Sequence, residues 1–304
     1  MSVLKGYIAP EGFEAELRTE LTRWGGVVAA EHGRLLLAEA GPDAPAWAED
    51  VWHDPRDLPV PSIKKAARAL RAIQRNWALF PTAHHRRAQL IADQLPHVSA
   101  RPLSFPEPPP RAPLGGWTLI APHRMLASPA TASPFPHGAA RFVEDRTGPP
   151  NRAYLKLWEA LTILGRHPGP GETCLDLGAA PGGWTWVLAD LGAGVTAVDK
   201  APLAPEVAAR PNVEYRRDSA FGLRPRHFGT VDWLFSDVVC YPARLLALVR
   251  RWCDEGAARN IVCTLKFQGE TDFETMDGFA AIPGGRLVHL HHNKHELTWI
   301  WPSR

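Results

Sequence analysis

Cysteine is scarce in this sequence, and its four copies are not spaced as metal ligands. Cys174, Cys240, Cys253 and Cys263 form no CxxC pair and have no histidine at the spacing of a zinc site. Three of them lie in apolar runs that are typical of buried strands. We therefore expect reduced thiols and no bound metal.

Long hydrophobic runs are also lacking. The sequence has no stretch of about 18 consecutive apolar residues, the length that a membrane-spanning helix needs. The first residues, MSVLKGYIAPEGFEAE, contain acidic side chains too early for a secretory signal. These two absences predict a cytoplasmic protein that does not interact with a membrane.

Lysine is the third scarce residue, because arginine supplies 27 of the 34 cationic side chains and only seven are lysine. The net charge of +2 is too small to indicate a nucleic-acid-binding protein by itself. The charge is uneven, however, with ten basic against three acidic side chains between Arg56 and Arg111. With seven lysines in the chain, a lysine at a chemically meaningful position is less easily explained by chance.

The most informative stretch runs from Thr173 to Asp199, within a chain of 304 residues that is 45% apolar. It reads as an apolar strand, a glycine-rich turn, an amphipathic helix and a second apolar strand ending in a carboxylate. This is half of a dinucleotide-type fold. The length allows one large α/β domain of this kind and a smaller domain beside it.

The turn from Gly178 to Gly183 does not have the GxGxxG spacing of a pyrophosphate-binding loop. It contains a proline among small residues, which favours an uncharged edge of a ligand over a phosphate. Asp199 ends the second strand, where a carboxylate can accept hydrogen bonds from ribose hydroxyls. S-adenosylmethionine has a ribose and no phosphate. The cofactor-binding residues predicted in this stretch are Asp176, Gly178, Ala180, Pro181, Gly182, Gly183, Trp184 and Asp199.

Five motifs carry a family resemblance: NRAYLKLWEA, AAPGGW, SDVVCYP, TLKF and HELT. Together they resemble the FtsJ-type ribose 2'-O-methyltransferases, and most closely the RlmM family, which methylates a cytidine of 23S rRNA. The resemblance covers about 170 residues, from Ser133 to Trp301. It implies an α/β fold, namely a Rossmann-like class I methyltransferase sheet, with S-adenosylmethionine as cofactor and RNA, most specifically 23S rRNA, as partner.

The family's Lys-Asp-Lys-Glu tetrad falls on Lys156, Asp237, Lys266 and Glu296. The resemblance assigns Lys266 as the base, which must be neutral, and we expect burial and the neighbouring Lys156 to lower its pKa. Asp237 would orient Lys266 and lie near the methyl group, and so also contact the cofactor. Lys156 and Glu296 would position the 2'-hydroxyl and Lys266, its lysine partner. Asp218 is the matching candidate for the adenine amino group, and this chemistry needs no metal.

The pattern of elements predicts three segments. Residues 1–100 form a small α/β, THUMP-like RNA-binding domain that begins strand, helix, strand, strand. Residues 101–148 form a proline-rich linker and a connecting strand from GGWTLIAPHRMLA. Residues 149–304 form the methyltransferase domain, with a mostly parallel sheet and an antiparallel closing hairpin. Its predicted strands cover 173–178, 194–199, 212–216, 231–236 and 260–265.

A basic amphipathic helix is predicted in SIKKAARALRAIQRNW, from Ser62 as N-cap to Trp77. Its polar face contains lysine and arginine without interleaved acid, and the following His84, His85, Arg86 and Arg87 extend it. A solvated surface and a phosphate-contacting surface both fit this pattern.

Three other functions fit part of the sequence. A 2'-O-methyltransferase of another rRNA site, of tRNA or of a cap has the same motifs. A non-catalytic module that binds S-adenosylmethionine and RNA would leave the tetrad unused. A nicotinamide dehydrogenase shares the fold, although the absent GxGxxG disfavours it.

Overall fold

The structure is a computed structural model, and it describes residues 4–302. The chain forms two compact units. The first comprises the chain up to Leu103 together with Pro109–Arg141, and the second comprises Ser104–Pro108 and the chain from Phe142 onward.

The first unit has two four-stranded sheets, in the orders β2-β3-β1-β4 and β5-β8-β7-β6. Its elements are β1 (Leu4–Ile8), α1 (Glu14–Arg23), β2 (Val27–His32), β3 (Leu35–Glu39), β4 (Asp50–Trp52), β5 (Arg56–Pro59), α2 (Ile63–Ile73), β6 (Trp77–Leu79), α3 (His85–Ala92), β7 (Gly115–Ala121) and β8 (Arg124–Ser128). The predicted order of strand, helix and antiparallel hairpin at the start is confirmed.

The basic helix is α2, and it is shorter than predicted. Ser62 caps it as expected, since its hydroxyl accepts a hydrogen bond of 3.2 Å from the Lys65 N–H. The prediction that the helix continues to Trp77 is wrong, because Gln74 is already extended and Trp77 belongs to β6, which pairs with β7. The Trp77 ring still joins the same apolar core as Ala66, Ala67 and Leu70, and it does so from a strand.

The segment GGWTLIAPHRMLA forms two strands, where the sequence indicated one. β7 and β8 pair as an antiparallel hairpin around Pro122 and His123. β8 also pairs with β5, and β7 with β6, so both strands complete a sheet of the first unit. A tight turn in the middle of an otherwise continuous apolar pattern explains the difference.

The second unit contains one seven-stranded sheet, in the order β11-β10-β9-β12-β13-β15-β14. Its elements are α4 (Tyr154–Leu164), β9 (Thr173–Leu177), α5 (Gly183–Asp190), β10 (Gly194–Asp199), α6 (Pro205–Ala208), β11 (Val213–Arg217), β12 (Val231–Ser236), α7 (Pro242–Asp254), β13 (Ala258–Lys266), α8 (Phe273–Ala280), β14 (Arg286–Val288) and β15 (Glu296–Pro302).

This sheet confirms the predicted α/β class. The five strands from β9 to β13 are parallel to one another. β15 lies between β13 and β14 and runs antiparallel to both, which forms the closing hairpin. The strands are apolar because both faces are covered, and β9, β12 and β13 are almost wholly buried. Chain order reverses between β9 and β12, so ligands are expected at the carboxyl ends of these strands.

Part of the proline-rich segment packs onto the second unit. The Phe105 ring stacks on the Trp158 ring of α4, with centroids 5.1 Å apart and planes 11° from parallel.

Within residues 4–302, no helix is long and apolar enough to cross a membrane.

Candidate functional site

The glycine-rich turn between β9 and α5 is held by the carboxylate of Asp199. The Ala180 N–H donates to Asp199 Oδ2 at 3.0 Å, and the Ala201 N–H donates to Oδ1 at 2.9 Å. The backbone N–H groups of Gly178 and Ala179 both donate to the Val198 carbonyl. The end of β10 therefore fixes the position of the turn.

Two glycines in this turn are needed for packing. Gly178 has φ +77°, and a Cβ there would lie 2.7 Å from the Cβ of Val238. A Cβ on Gly183, the first residue of α5, would lie 2.2 Å from Asn151 Oδ1. Neither space accommodates a side chain, so the loops after β9 and β12 come into close contact.

Asp176 lies beneath the turn with its carboxyl group buried. Thr185 Oγ1 donates to Asp176 Oδ2 at 2.6 Å, while Oδ1 has no hydrogen-bond partner. Burial raises the pKa of Asp176 to about 7, and the charges of Asp237 and Asp199 add to the rise. Asp176 Oδ1 is thus a buried oxygen without a protein partner.

The four predicted catalytic side chains meet at one place. Lys156 Nζ lies 2.8 Å from Asp237 Oδ1 and 3.2 Å from Glu296 Oε1. Lys266 Nζ lies 3.1 Å from the same Asp237 oxygen and donates to the Asp237 carbonyl at 2.5 Å. Asp237 is thus shared by the two lysines.

Three strands and one helix bring these groups together. Asp237 directly follows β12, Lys266 ends β13, and Glu296 begins β15. Lys266 and Glu296 are register partners across the antiparallel pair, which places their side chains on the same face of the sheet. Lys156 comes from the first turn of α4 and is 8% exposed.

The charges of this cluster balance, with two ammonium groups against two carboxylates. Burial alone would lower the pKa of Lys156, but the charges of Asp237 and Glu296 and their hydrogen bonds more than offset it, so that this pKa is raised. Lys156 is therefore a fixed cation.

A cavity of about 410 Å³ opens beside the cluster. Its lining residues are Asn151, Ala153, Asp176, Gly178, Ala179, Ala180, Gly183, Trp184, Asp199, Asp237, Val238, Val239 and Lys266. The volume is in the range of small-molecule sites. Seven of the predicted cofactor-binding residues belong to this lining, together with Lys266 of the tetrad.

Three predicted cofactor residues do not line the cavity. Pro181 and Gly182 complete the turn, where Gly182 has φ +116° and precedes α5. Asp218 follows β11, and its N–H donates to the Asp199 carbonyl at 3.2 Å. The Asp218 carboxylate is exposed and accepts a hydrogen bond of 2.6 Å from the Ser219 N–H. Its assignment to the adenine stays a prediction.

The residues that the sequence reasoning missed are Glu159 and Asn151. Glu159 is 2% exposed and accepts hydrogen bonds from the His291 and His292 N–H groups and from His292 Nδ1, at 2.7, 3.1 and 2.7 Å. It thereby ties α4 to the loop before Glu296. Its position three residues after Lys156, on the same helical side, was the available signal.

The four cysteines are free thiols, with Cys174, Cys240 and Cys263 buried. Within residues 4–302, no three or more His, Cys, Asp and Glu side chains are grouped so that they could hold a metal ion.

A segment of the second unit matches a known protein family. The family model for FtsJ-like methyltransferases matches residues 149–250. The matched segment includes the turn, Asp199, Lys156 and Asp237.

The relatives are proteins named ribosomal RNA large subunit methyltransferase M. That of Halorhodospira halophila is 42% identical over 172 residues, which are 54% of this chain and 50% of that protein. That of Azotobacter vinelandii is 41% identical over 190 residues, 57% of this chain and 53% of that protein. That of Alkalilimnicola ehrlichii is 38% identical over 186 residues, 57% of this chain and 51% of that protein. The chain thus spans about half the length of the curated relatives it matches.

Proposed function

We propose that this protein is an enzyme that transfers a methyl group from S-adenosylmethionine to a ribose 2'-hydroxyl of RNA. The observation that supports it best is the cluster of Lys156, Asp237, Lys266 and Glu296 next to the cavity. The names of the relatives favour large-subunit rRNA, and the RlmM resemblance favours a cytidine. A substrate of this kind also favours the cytoplasm as its location.

The lining of the cavity fits S-adenosylmethionine. Asp199 offers carboxylate oxygens to ribose hydroxyls, and Asp176 Oδ1 offers an unpartnered acceptor. Gly178 and Gly183 line the cavity without a side chain of their own. When bound, S-adenosylmethionine supplies a methyl group on a positively charged sulfur.

The two lysines have different surroundings, which suits different roles. Lys266 lines the cavity, whereas Lys156 is held by two carboxylates and stays charged. In the proposed reaction the 2'-hydroxyl proton moves to Lys266 Nζ once that amine is neutral. Lys156 donates hydrogen bonds to the acceptor oxygen, and Asp237 and Glu296 hold the lysines in place.

The experiment that tests this function uses tritiated S-adenosylmethionine and unmodified 23S rRNA transcribed in vitro. We expect tritium to enter the RNA, and digestion to nucleosides to yield 2'-O-methylcytidine. Mapping of 2'-O-methyl sites in a deletion strain then identifies the nucleotide. Cofactor binding without any label in the rRNA, or a mapped site that lies in tRNA alone, would contradict the proposal and favour one of the alternative functions.

A further inference from the structure

The loop between β12 and α7 exposes two large apolar side chains next to the cavity. Val239 is 72% exposed and Tyr241 is 70% exposed. Among the described residues of the second unit, Tyr241 is the only large aromatic side chain with such exposure. Val239 lines the cavity together with Asp237 and Lys266, so this apolar surface continues directly from the proposed reaction site.

Tyr241 also lies beside positive charge. It is the N-cap of α7, and its side chain makes no capping hydrogen bond. Arg244 follows three residues later, so its side chain lies on the same side of the helix. The charges of Arg244 and Lys266 both act on the buried Cys240 thiol, where they oppose the rise in its pKa that burial causes.

Arg244 is held in place by an aromatic ring. Its guanidinium carbon lies 3.9 Å from the centroid of the Phe221 ring, which is a close cation–π contact. No carboxylate occupies the first turn of α7, and none of the ion pairs of the described residues involves Arg244. Its outer face remains available to an anion.

An exposed aromatic ring with a nearby unpaired arginine is the combination that binds single-stranded nucleic acid. A base stacks on the ring, and the arginine contacts the phosphate. We propose that Tyr241 is the platform on which a base of the RNA substrate stacks, with Val239 exposed in the same loop and Arg244 on the adjacent phosphate. This inference rests on the proposed function and adds a base-binding subsite to it.

The experiment compares two probes with the same number of phosphates. One is a 12-nucleotide oligocytidylate, and the other is a matched RNA of the same length that lacks its bases. Binding to the full chain is measured by fluorescence anisotropy at about 0.1 M salt. The variants are Tyr241→Ala, Tyr241→Phe and Arg244→Gln, with Val143→Ala as the control because Val143 is an exposed apolar residue of the same unit.

We expect the wild type to bind oligocytidylate more tightly than the abasic probe. Tyr241→Ala should weaken oligocytidylate binding about 10-fold and leave the abasic probe unchanged, because stacking contributes only when bases are present. Tyr241→Phe and Val143→Ala should bind like the wild type. Arg244→Gln should weaken both probes and lower the log-log salt slope by about 0.7.

Three results would overturn the inference. Tyr241→Ala could lose affinity for both probes equally, or lose affinity for neither, or the wild type could show no preference for the probe with bases. Weaker S-adenosylmethionine binding by Tyr241→Ala in calorimetry, with unchanged oligonucleotide binding, would assign the ring to the cofactor and also overturn it. Because these readouts need no methyl transfer, failure of the enzymatic activity on rRNA is distinguishable from failure of the stacking platform.

Discussion

At the scale of single residues, Lys156 and Lys266 show how surroundings separate two identical side chains. Both touch Asp237, but only Lys156 also touches Glu296, and only Lys266 lines the cavity. A lysine held by two carboxylates is a poor proton acceptor, because the charged form is stabilised. The role of Lys266 as the proton acceptor stays a prediction, and the different contacts of the two lysines make it testable.

Replacing Lys266 should therefore stop the chemical step and spare cofactor binding. We expect Lys266→Ala to abolish methyl transfer while S-adenosylmethionine affinity stays within about threefold. Lys266→Arg is the sharper variant, since a guanidinium keeps the charge and the hydrogen bonds but cannot become neutral in a protein. Single-turnover assays give the rate and calorimetry the affinity. Substantial turnover by Lys266→Arg would assign proton removal to another group.

Asp199 should contribute to cofactor binding through charge-assisted hydrogen bonds. Asp199→Ala should weaken S-adenosylmethionine binding by about 1.5 to 3 kcal/mol. Calorimetry measures the affinity, and thermal unfolding checks the turn, because Asp199 also accepts N–H groups from Ala180 and Ala201. Asp190→Ala, which removes an exposed aspartate paired with Arg210, serves as the control. An unchanged affinity in Asp199→Ala would show that the ribose is bound elsewhere.

Asp176 should make stability depend on pH. Its pKa rises on folding from the ordinary 3.8 to about 7, so between these values the folded protein keeps a proton that the unfolded chain has lost. The free energy of unfolding should therefore fall as pH rises through this window, by about 1.4 kcal/mol per pH unit for this group. Asp176→Asn should remove this contribution.

Urea unfolding at several pH values between about 4 and 7 tests this. Buried Asp50 in the first unit also has its pKa raised to about 7, but it is present in both proteins and cancels in the comparison. The curve of Asp176→Asn should be flatter than that of the wild type. Parallel curves would mean that the carboxyl group ionises in the folded protein as it does in the unfolded chain.

At the scale of elements, α4 and the loop before β15 are joined by Glu159. Its carboxylate satisfies two backbone N–H groups and one histidine nitrogen in a buried place. Glu159→Ala leaves these donors without a partner, at a cost of about 1 to 3 kcal/mol each, so the free energy of unfolding should fall by at least about 2 kcal/mol.

Urea unfolding of Glu159→Ala measures this cost. Glu214→Ala is the control, since Glu214 forms an exposed ion pair with Arg216, and such pairs contribute little. A loss no greater than that of the control would mean that water replaces the carboxylate at this loop.

The elements of the second unit could be predicted well, because strand periodicity and covered sheet faces leave long apolar runs in the sequence. β10 and β12 have the predicted bounds. The end of α2 could not be predicted, since Trp77 fits the helical pattern and only pairing of β6 with β7 reveals it as a strand residue. The short strands β4 and β5 were missed for a similar reason: their residues are placed by partners distant in the chain.

Within the site, the convergence of the tetrad could be anticipated, since its members lie at the ends of elements. The shared use of Asp237 by two lysines could not, because it depends on distances across the sheet. Glu159 was missed because a glutamate on a helix is ordinarily a solvated residue, and its burial follows from the loop that folds over it.

At the scale of the whole molecule, RNA binding and chemistry are expected to be separable. Arg68 and Arg71 of α2, and Arg75 just after its C-terminal end, are exposed, and none of the ion pairs of the described residues involves them. Replacing all three with Gln should lower the log-log salt slope of RNA binding by roughly 2 if all touch phosphate, and leave S-adenosylmethionine binding unchanged. Glutamine keeps helix propensity similar.

The matched control replaces three other arginines with Gln. Arg18, Arg56 and Arg124 are exposed arginines of the same unit that are paired with carboxylates. It changes the net charge by the same amount, so a loss in slope confined to the α2 variant would assign the contacts to that helix. Parallel lines of RNA affinity against salt for the wild type and the α2 variant would mean that α2 is only a solvated surface.

The path of the chain between its two units limits how this protein can be divided. The chain leaves the first unit after Leu103, contributes Ser104–Pro108 to the second, returns at Pro109 and leaves again after Arg141. With three passages, a protease cut at any one of them leaves a segment of one unit on the fragment that carries the other unit, and one recombination event in the gene cannot exchange either unit intact. A chimera that takes the N-terminal unit from a relative must also carry a Phe105 that fits the Trp158 of its new host.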